Sequence, residues 1–274
     1  MTQTTGTQTG PAKVIFVGGA PRSGTSVTHA LLCTAPACNI YHPEISFVTP
    51  IFQSYATGMT QWESHSATFF HIPEHLRLHV RKLAQQSMFY VWRVLKQPAV
   101  LCVKDPLLTK NFPAVKAVMA WPCQFVTVLR HPHDVIRSQQ EVFTRSNVPM
   151  DEGTVYRLAE EYVQSYVHVD DPDMEGSVFH FRYEDLGTDW LTAQLRAFTG
   201  LGGIDPEQIW EKTGHVATEE EKADPFYSPK YHGRIDTTRR FDPLVPVFQT
   251  IVNDICAPIM ERCGYLPDGT VETW

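Results

Sequence analysis

The stretch Gly18-Gly19-Ala20-Pro21-Arg22-Ser23-Gly24-Thr25-Ser26 has the composition of an anion site. It follows a short β-branched and aromatic run, Lys13 to Val17, and precedes a segment of helical character from Ser26 to Thr34. A glycine-bearing turn between a strand and a helix aims backbone N–H groups and the positive end of the helix dipole at one point, where phosphate or sulfate oxygens are held. Thr25 and Ser26 add hydroxyl donors at the helix start, and Arg22 adds a guanidinium inside the loop. The nucleoside-triphosphate loop G-x-x-x-x-G-K-[ST] fits at Gly19, Gly24 and Ser26, but Thr25 stands where that loop has its lysine. A triphosphate is handled with that lysine and Mg²⁺. A phosphosulfate carries less charge, and one loop with one arginine and no metal suffices for it.

A second group of polar residues follows a later strand. Gln124 to Leu129 reads as a buried strand, Arg130 follows it, and Ser138 comes eight residues later in the next helix. An arginine fork at a strand end suits a phosphate, and Ser138, two turns along the helix, faces back toward it. Two further strand ends carry polar groups: Lys104-Asp105-Pro106 after Ala99 to Val103, and Arg182-Tyr183-Glu184 after Val178 to Phe181.

These residues resemble the PAPS-dependent sulfotransferase family, closest in motif style to the tyrosylprotein and bacterial-type members. Pro21-Arg22-Ser23-Gly24-Thr25 resembles its 5′-phosphosulfate loop, and Arg130 with Ser138 its 3′-phosphate pair. Lys104-Asp105-Pro106 resembles a strand-end motif whose lysine lies by the sulfuryl group in transfer. Phe181-Arg182-Tyr183-Glu184-Asp185-Leu186 resembles one whose tyrosine encloses the nucleotide. The four elements span residues 14 to 186. The resemblance implies a donor, 3′-phosphoadenosine-5′-phosphosulfate (PAPS), bound by Arg22, Ser23, Gly24, Thr25, Ser26, Arg130, Ser138 and Tyr183. It implies 3′-phosphoadenosine-5′-phosphate as product, no metal, and a hydroxyl-bearing small molecule, lipid or glycan as acceptor. Arg22 and Lys104 are the candidates for meeting leaving-group charge, and Glu44 for the general base. Glu44 matches the second Glu of the tyrosylprotein enzymes' G-E-E-T-R segment if one residue is inserted, with Pro43 and Ser46 replacing the first Glu and the Arg. His42 and Asp105 are its rivals, since imidazole titrates near neutrality and Asp105 follows the second strand. The alternative functions are a P-loop kinase-like enzyme, which would need Mg²⁺, and a non-catalytic nucleotide binder.

The elements that must position these groups alternate. Beyond those above, helices are expected over Glu44 to Tyr55, Glu74 to Leu95, Asp134 to Phe143, Thr154 to Val169, Trp190 to Phe198 and Phe248 to Met260. Short strands, apolar on both faces, between helices predict an α/β fold: a P-loop-like parallel sheet of about four to five strands flanked by helices on both faces. Such sheets bind ligands at the carboxyl ends of their strands, where every motif above falls. The 274 residues suit one domain, 13–274, behind a polar tail, 1–12, read as disordered. The charge-, Gly- and Pro-rich segment 212–245, with Lys230, Arg234, Arg239 and Arg240, is a candidate lid.

A net charge of −7 argues against a bulk grip on nucleic acid or anionic lipid, and no run is long and apolar enough to span a membrane. With no targeting signal visible, a cytoplasmic location is expected, and oligomeric state is left open. The six cysteines form no C-x-x-C pair and read as buried free thiols. His71, His75 and His79 are spaced by four, but with Pro73 among them and no completing ligand they read as a solvated face.

Overall fold

The computed structural model describes residues 10–209, 219–223, 225, 235, 237 and 243–272. Four strands, β1 (Lys13–Gly18), β2 (Val100–Lys104), β3 (Cys123–Leu129) and β4 (Val178–Arg182), form one parallel sheet in the order β2-β1-β3-β4. The helices are α1 (Thr25–Leu32), α2 (Thr49–Thr60), α3 (Ala67–Phe70), α4 (Pro73–Val94), α5 (Phe112–Val118), α6 (Pro132–Arg145), α7 (Glu152–Gln164), α8 (Asp189–Thr199), α9 (Glu219–Ala223) and α10 (Pro246–Cys263).

Alternation along β1 shows why the sheet needs cover on both sides. Val14 and Phe16 enter the core built with α2, α4 and α5, while Ile15 and Val17 enter the one built with α1 and α8. Phe16 stacks on Phe125 at 5.7 Å between ring centroids, and Phe125 packs on Phe112 at 4.7 Å. Full burial of each such ring contributes about 1.5–3 kcal/mol. A third cluster, Leu129, Tyr162 and Tyr166 with α10, braces the end of β3.

The chain departs from sequence expectation at three places. The helix expected from Glu44 begins only at Thr49, because Pro50 takes a first-turn position, where its fixed φ and missing N–H are tolerated. Glu44 is left in an irregular segment laid along the end of β2, where the Ile45 amide donates to Lys104 O at 3.2 Å. Helix α5, also carrying Pro in its first turn, was not visible in the sequence. The helix expected through Val169 stops at Gln164, and Tyr166 then swings its hydroxyl onto the sheet end, donating to Val128 O at 3.1 Å. The candidate lid residues Lys230, Arg234, Arg239 and Arg240 lie outside the described residues.

One core group makes stability depend on pH. His168 is fully buried, its Nε2 lying 2.9 Å from Thr127 Oγ1 and its ring against Phe112. Burial, and then the charges of His180 and Arg262, lower its pKa to about 4, against the partial opposition of Asp171. The folded value lies below the unfolded one of about 6.5. Its contribution is therefore fully present above pH 6.5 and is lost as pH falls toward 4, by about 2 kcal/mol at pH 5. Replacing His168 by Gln should flatten the loss of thermal stability between pH 7 and pH 5 by that amount. An unchanged slope in the variant would assign the acid sensitivity to other groups.

Candidate active site

All four parallel strands stop at one edge, and each hands a functional segment to it. β1 runs into the glycine loop, β2 ends on Lys104, β3 is followed by Arg130 and β4 by Tyr183. Register holds them level: Val17 pairs with Lys104, Gly18 with Thr127 and Leu129 with Arg182. The chain leaves β1 for β2 on one side and returns for β3 on the other, which opens a crevice where ligands bind in such sheets.

The loop is held open from below. Gly19 has φ 141°, and a Cβ there would stand 2.4 Å from Val128 O, so only glycine passes. The Gly19 amide donates to Thr109 Oγ1 at 2.9 Å, Ala20 N to Tyr166 OH at 3.1 Å and Ser23 N to Ala20 O at 3.0 Å. Arg22 has the left-handed φ of 75°. Helix α1 then starts with Gly24 at its N-cap and no side-chain cap, which leaves first-turn amides facing the crevice as an anion site. The Ser23 hydroxyl is buried beside Gly19 and the Thr25 side chain is also buried. Both side chains shape the turn from within.

On one flank stand Lys104, Glu44 and Ser26. Lys104 is 4% exposed, and its Nζ donates to Ser26 Oγ at 2.7 Å and to Glu44 Oε1 at 2.9 Å. The Glu44 side chain is 42% exposed, so the carboxylate faces both the ammonium and solvent. On the other flank, Arg22 Nε donates to Ser138 Oγ at 3.0 Å, and Arg130 Nη1 reaches Arg22 O at 3.4 Å. The Arg130 guanidinium lies 4.4 Å from the centre of the Tyr183 ring. Tyr183 in turn packs on Gly24, where a Cβ would come within 2.4 Å of its ring. The Tyr162 hydroxyl fixes the Arg130 backbone, donating to its carbonyl at 2.8 Å. Residues named from separate motifs are thus gathered into two adjoining cationic groups with the α1 start between them.

The rivals of Glu44 are placed differently. Asp105 is buried and caps the 3₁₀ turn Pro106–Asn111, accepting from Leu107 N at 3.0 Å and from Thr49 Oγ1 at 2.5 Å. Burial raises its pKa. His42 has Nε2 3.1 Å from Cys102 O and Nδ1 2.6 Å from Pro43 O, and burial lowers its pKa. Both ring nitrogens face backbone carbonyls rather than the crevice. His131 caps α6, accepting from the His133 amide, and His133 Nε2 meets Asn253 Oδ1 at 2.7 Å. His71, His75 and His79 form no metal-type group among the described residues.

Sequence reasoning missed Thr109 and the bracing role of Tyr162 and Tyr166. The two tyrosines were visible only as part of an apolar helix stripe, because nothing local marks a hydroxyl that reaches a strand end.

Compared with known proteins, residues 14–202 match the model of the sulfotransferase family. The sulfotransferase domain from the Synechococcus PCC 7002 olefin synthase superposes with a TM-score of 0.52 at 17% identity, covering 92% of this chain and 97% of that one. The sulfotransferase domain from the curacin biosynthetic pathway gives 0.52 at 17% identity, covering 89% and 97%. At that identity the likeness is one of fold. No curated protein matches the chain. Among the described residues, no helix is long and apolar enough to cross a membrane.

Proposed function

The chain belongs to the sulfotransferase family, transferases of sulfur-containing groups, and on that premise we propose that it moves a sulfuryl group from PAPS to a hydroxyl acceptor by in-line displacement, with Glu44 as general base. The observation that carries this reading is the contact of Lys104 with both Glu44 and Ser26 at the start of α1. It sets a half-exposed carboxylate, a cation and an anion-binding helix end side by side.

The residues fit a bisphosphorylated adenosine carrying a sulfuryl group on its 5′-phosphate. The uncapped start of α1, with Arg22 and Lys104, suits the phosphosulfate, and Arg130 with Ser138 suits a second phosphate. Tyr183, already under a guanidinium, offers a flat face toward the nucleotide. When bound, the donor supplies an electrophilic sulfur and a phosphate leaving group.

Glu44 takes the proton of the acceptor hydroxyl as the new oxygen–sulfur bond forms. The electron pair of the broken sulfur–oxygen bond stays on the 5′-phosphate oxygen, and Lys104 and Arg22 meet that charge. Transfer of this kind relies on positioning and electrostatics more than on covalent chemistry by the protein. Phe47, three residues beyond Glu44 and exposed, lines a groove with Phe89, Tyr90 and Arg93 of α4. Their aromatic surface supports an acceptor with an apolar body.

The direct test is transfer of labelled sulfate from PAPS to a library of hydroxyl acceptors. A Mg²⁺-dependent phosphoryl transfer from ATP with no sulfate transfer would favour a kinase-like enzyme instead. For the nucleotide site, Arg130→Ala should weaken 3′-phosphoadenosine-5′-phosphate roughly 10- to 100-fold by calorimetry, the worth of a hydrogen bond to a charged group. Unchanged affinity would remove Arg130 from the site.

A further inference from the structure

Behind the crevice, on the face of the sheet that packs against α1, an imidazole and three thiols converge. His29 and Cys33 stand four residues apart, on one side of α1 and its cap. Cys102 faces them from β2, and Cys38 lies in the segment bridged to Val100. His29, Cys33 and Cys102 are buried, and a ring nitrogen and the two sulfurs all lie within 4.8 Å of one another. The Cys102 thiol has the thiols of Cys33 and Cys38 beside it, and burial, followed by the Cys33 thiol, raises its pKa.

Two further observations point to a ligand. His29 Nε2 lies 3.1 Å from Cys102 O, while Nδ1 is buried with no hydrogen-bond partner. A buried polar atom left this way costs stability unless something satisfies it. Asn39, itself buried, donates through Nδ2 to Cys33 Sγ at 3.8 Å and to Cys102 O at 2.9 Å, and accepts from Cys102 N at 2.7 Å. Donors aimed at sulfur, and an imidazole whose second nitrogen is held by a carbonyl, are what surround thiolate–histidine metal centres.

We propose that His29 Nδ1, Cys33 and Cys102, with Cys38 as fourth ligand, bind one Zn²⁺ ion. Zinc takes nitrogen and sulfur ligands tetrahedrally, with bonds of about 2.0–2.3 Å that place neighbouring ligand atoms roughly 3.3–3.8 Å apart. The His29, Cys33 and Cys102 ligand atoms need close by only about an ångström, and Cys38 would complete the set from the segment bridged to Val100. Each thiol that ligates releases its proton to solvent on binding. Four protein ligands leave no open position, so the centre is structural. It ties α1 to β2 two residues before Lys104, and it stands whether or not the chain transfers sulfate.

The test uses the full chain, expressed in zinc-replete medium and purified under reducing conditions without chelators or metal-affinity resin. Native mass spectrometry and elemental analysis should find one zinc per chain. Cys33→Ser and His29→Gln should each abolish or sharply lower occupancy, while Cys256→Ser, at a buried thiol in α10 outside the cluster, should retain it. Should a ligand variant fail to fold, the wild-type chain refolded with Co²⁺ serves instead and should show the intense visible absorption of tetrahedral thiolate-bound cobalt. A metal-free wild-type mass with six free thiols, a disulfide within the cluster, featureless cobalt spectra, or zinc undiminished in both ligand variants would each overturn the assignment.

Discussion

Glu44→Gln is expected to slow turnover by about 10²- to 10⁴-fold, as loss of a positioned general base does. Glutamine keeps the length of the side chain, and its carbonyl can still accept from Lys104 Nζ, which now stands 2.9 Å from Glu44 Oε1. The pocket keeps its shape but loses the proton acceptor and the negative charge paired with Lys104. Affinity for 3′-phosphoadenosine-5′-phosphate should therefore hold while the single-turnover rate at saturating donor falls. The 42% exposure of Glu44 matters here, because an acceptor can reach the carboxylate without any rearrangement of the sheet. Wild-type turnover in the variant would pass the proton to His42 or Asp105, and in the first case would require the ring to leave the Cys102 and Pro43 carbonyls.

Lys104→Met should lower kcat by about 10²- to 10³-fold, the usual cost of removing one donor aimed at developing charge. Methionine fills much of the buried channel that the lysine stem occupies, and the freed Glu44 carboxylate stays partly hydrated. Because Lys104 is buried and only Glu44 reaches solvent, the thermal melting of the variant is measured beside its kinetics, so that lost turnover is separated from lost folding. The informative measurement is the split between kcat and KM. A raised KM with unchanged kcat would mean that Lys104 holds the ground state alone. Because Lys104 and Glu44 share one contact, the double variant should lose less than the product of the two single losses.

Much of the architecture was legible because the strands are short, apolar on both faces and end abruptly in Gly18, Lys104, Arg130 and Arg182. Those endings also located the motifs, since a polar group after a buried strand must sit at the sheet's ligand edge. Boundaries set by proline were harder. Pro50 moved the start of α2 past Glu44, and α5, short and with a proline in its first turn, left no helical pattern to read. The contacts that make the site could not be read at all. Arg22 meets Ser138 across 116 positions and Lys104 meets Glu44 across 60, and no local pattern encodes such pairs. The cysteines taught the same lesson: their spacing carries no metal signature, yet folding brings Cys33 and Cys102 to one imidazole, with Cys38 beside Cys102.

The strand order carries a last consequence. Among the described residues β4 lies at an edge, hydrogen-bonded to β3 alone, yet it leads into the tyrosine that covers Gly24 and stacks beneath Arg130. Edge elements open at lower free energy than central ones. Both outer strands thus carry part of the crevice: fraying of β4 would lift the aromatic plate away and fraying of β2 would move Lys104, while the central pair, β1 with the glycine loop and β3 leading to Arg130, is the fixed part.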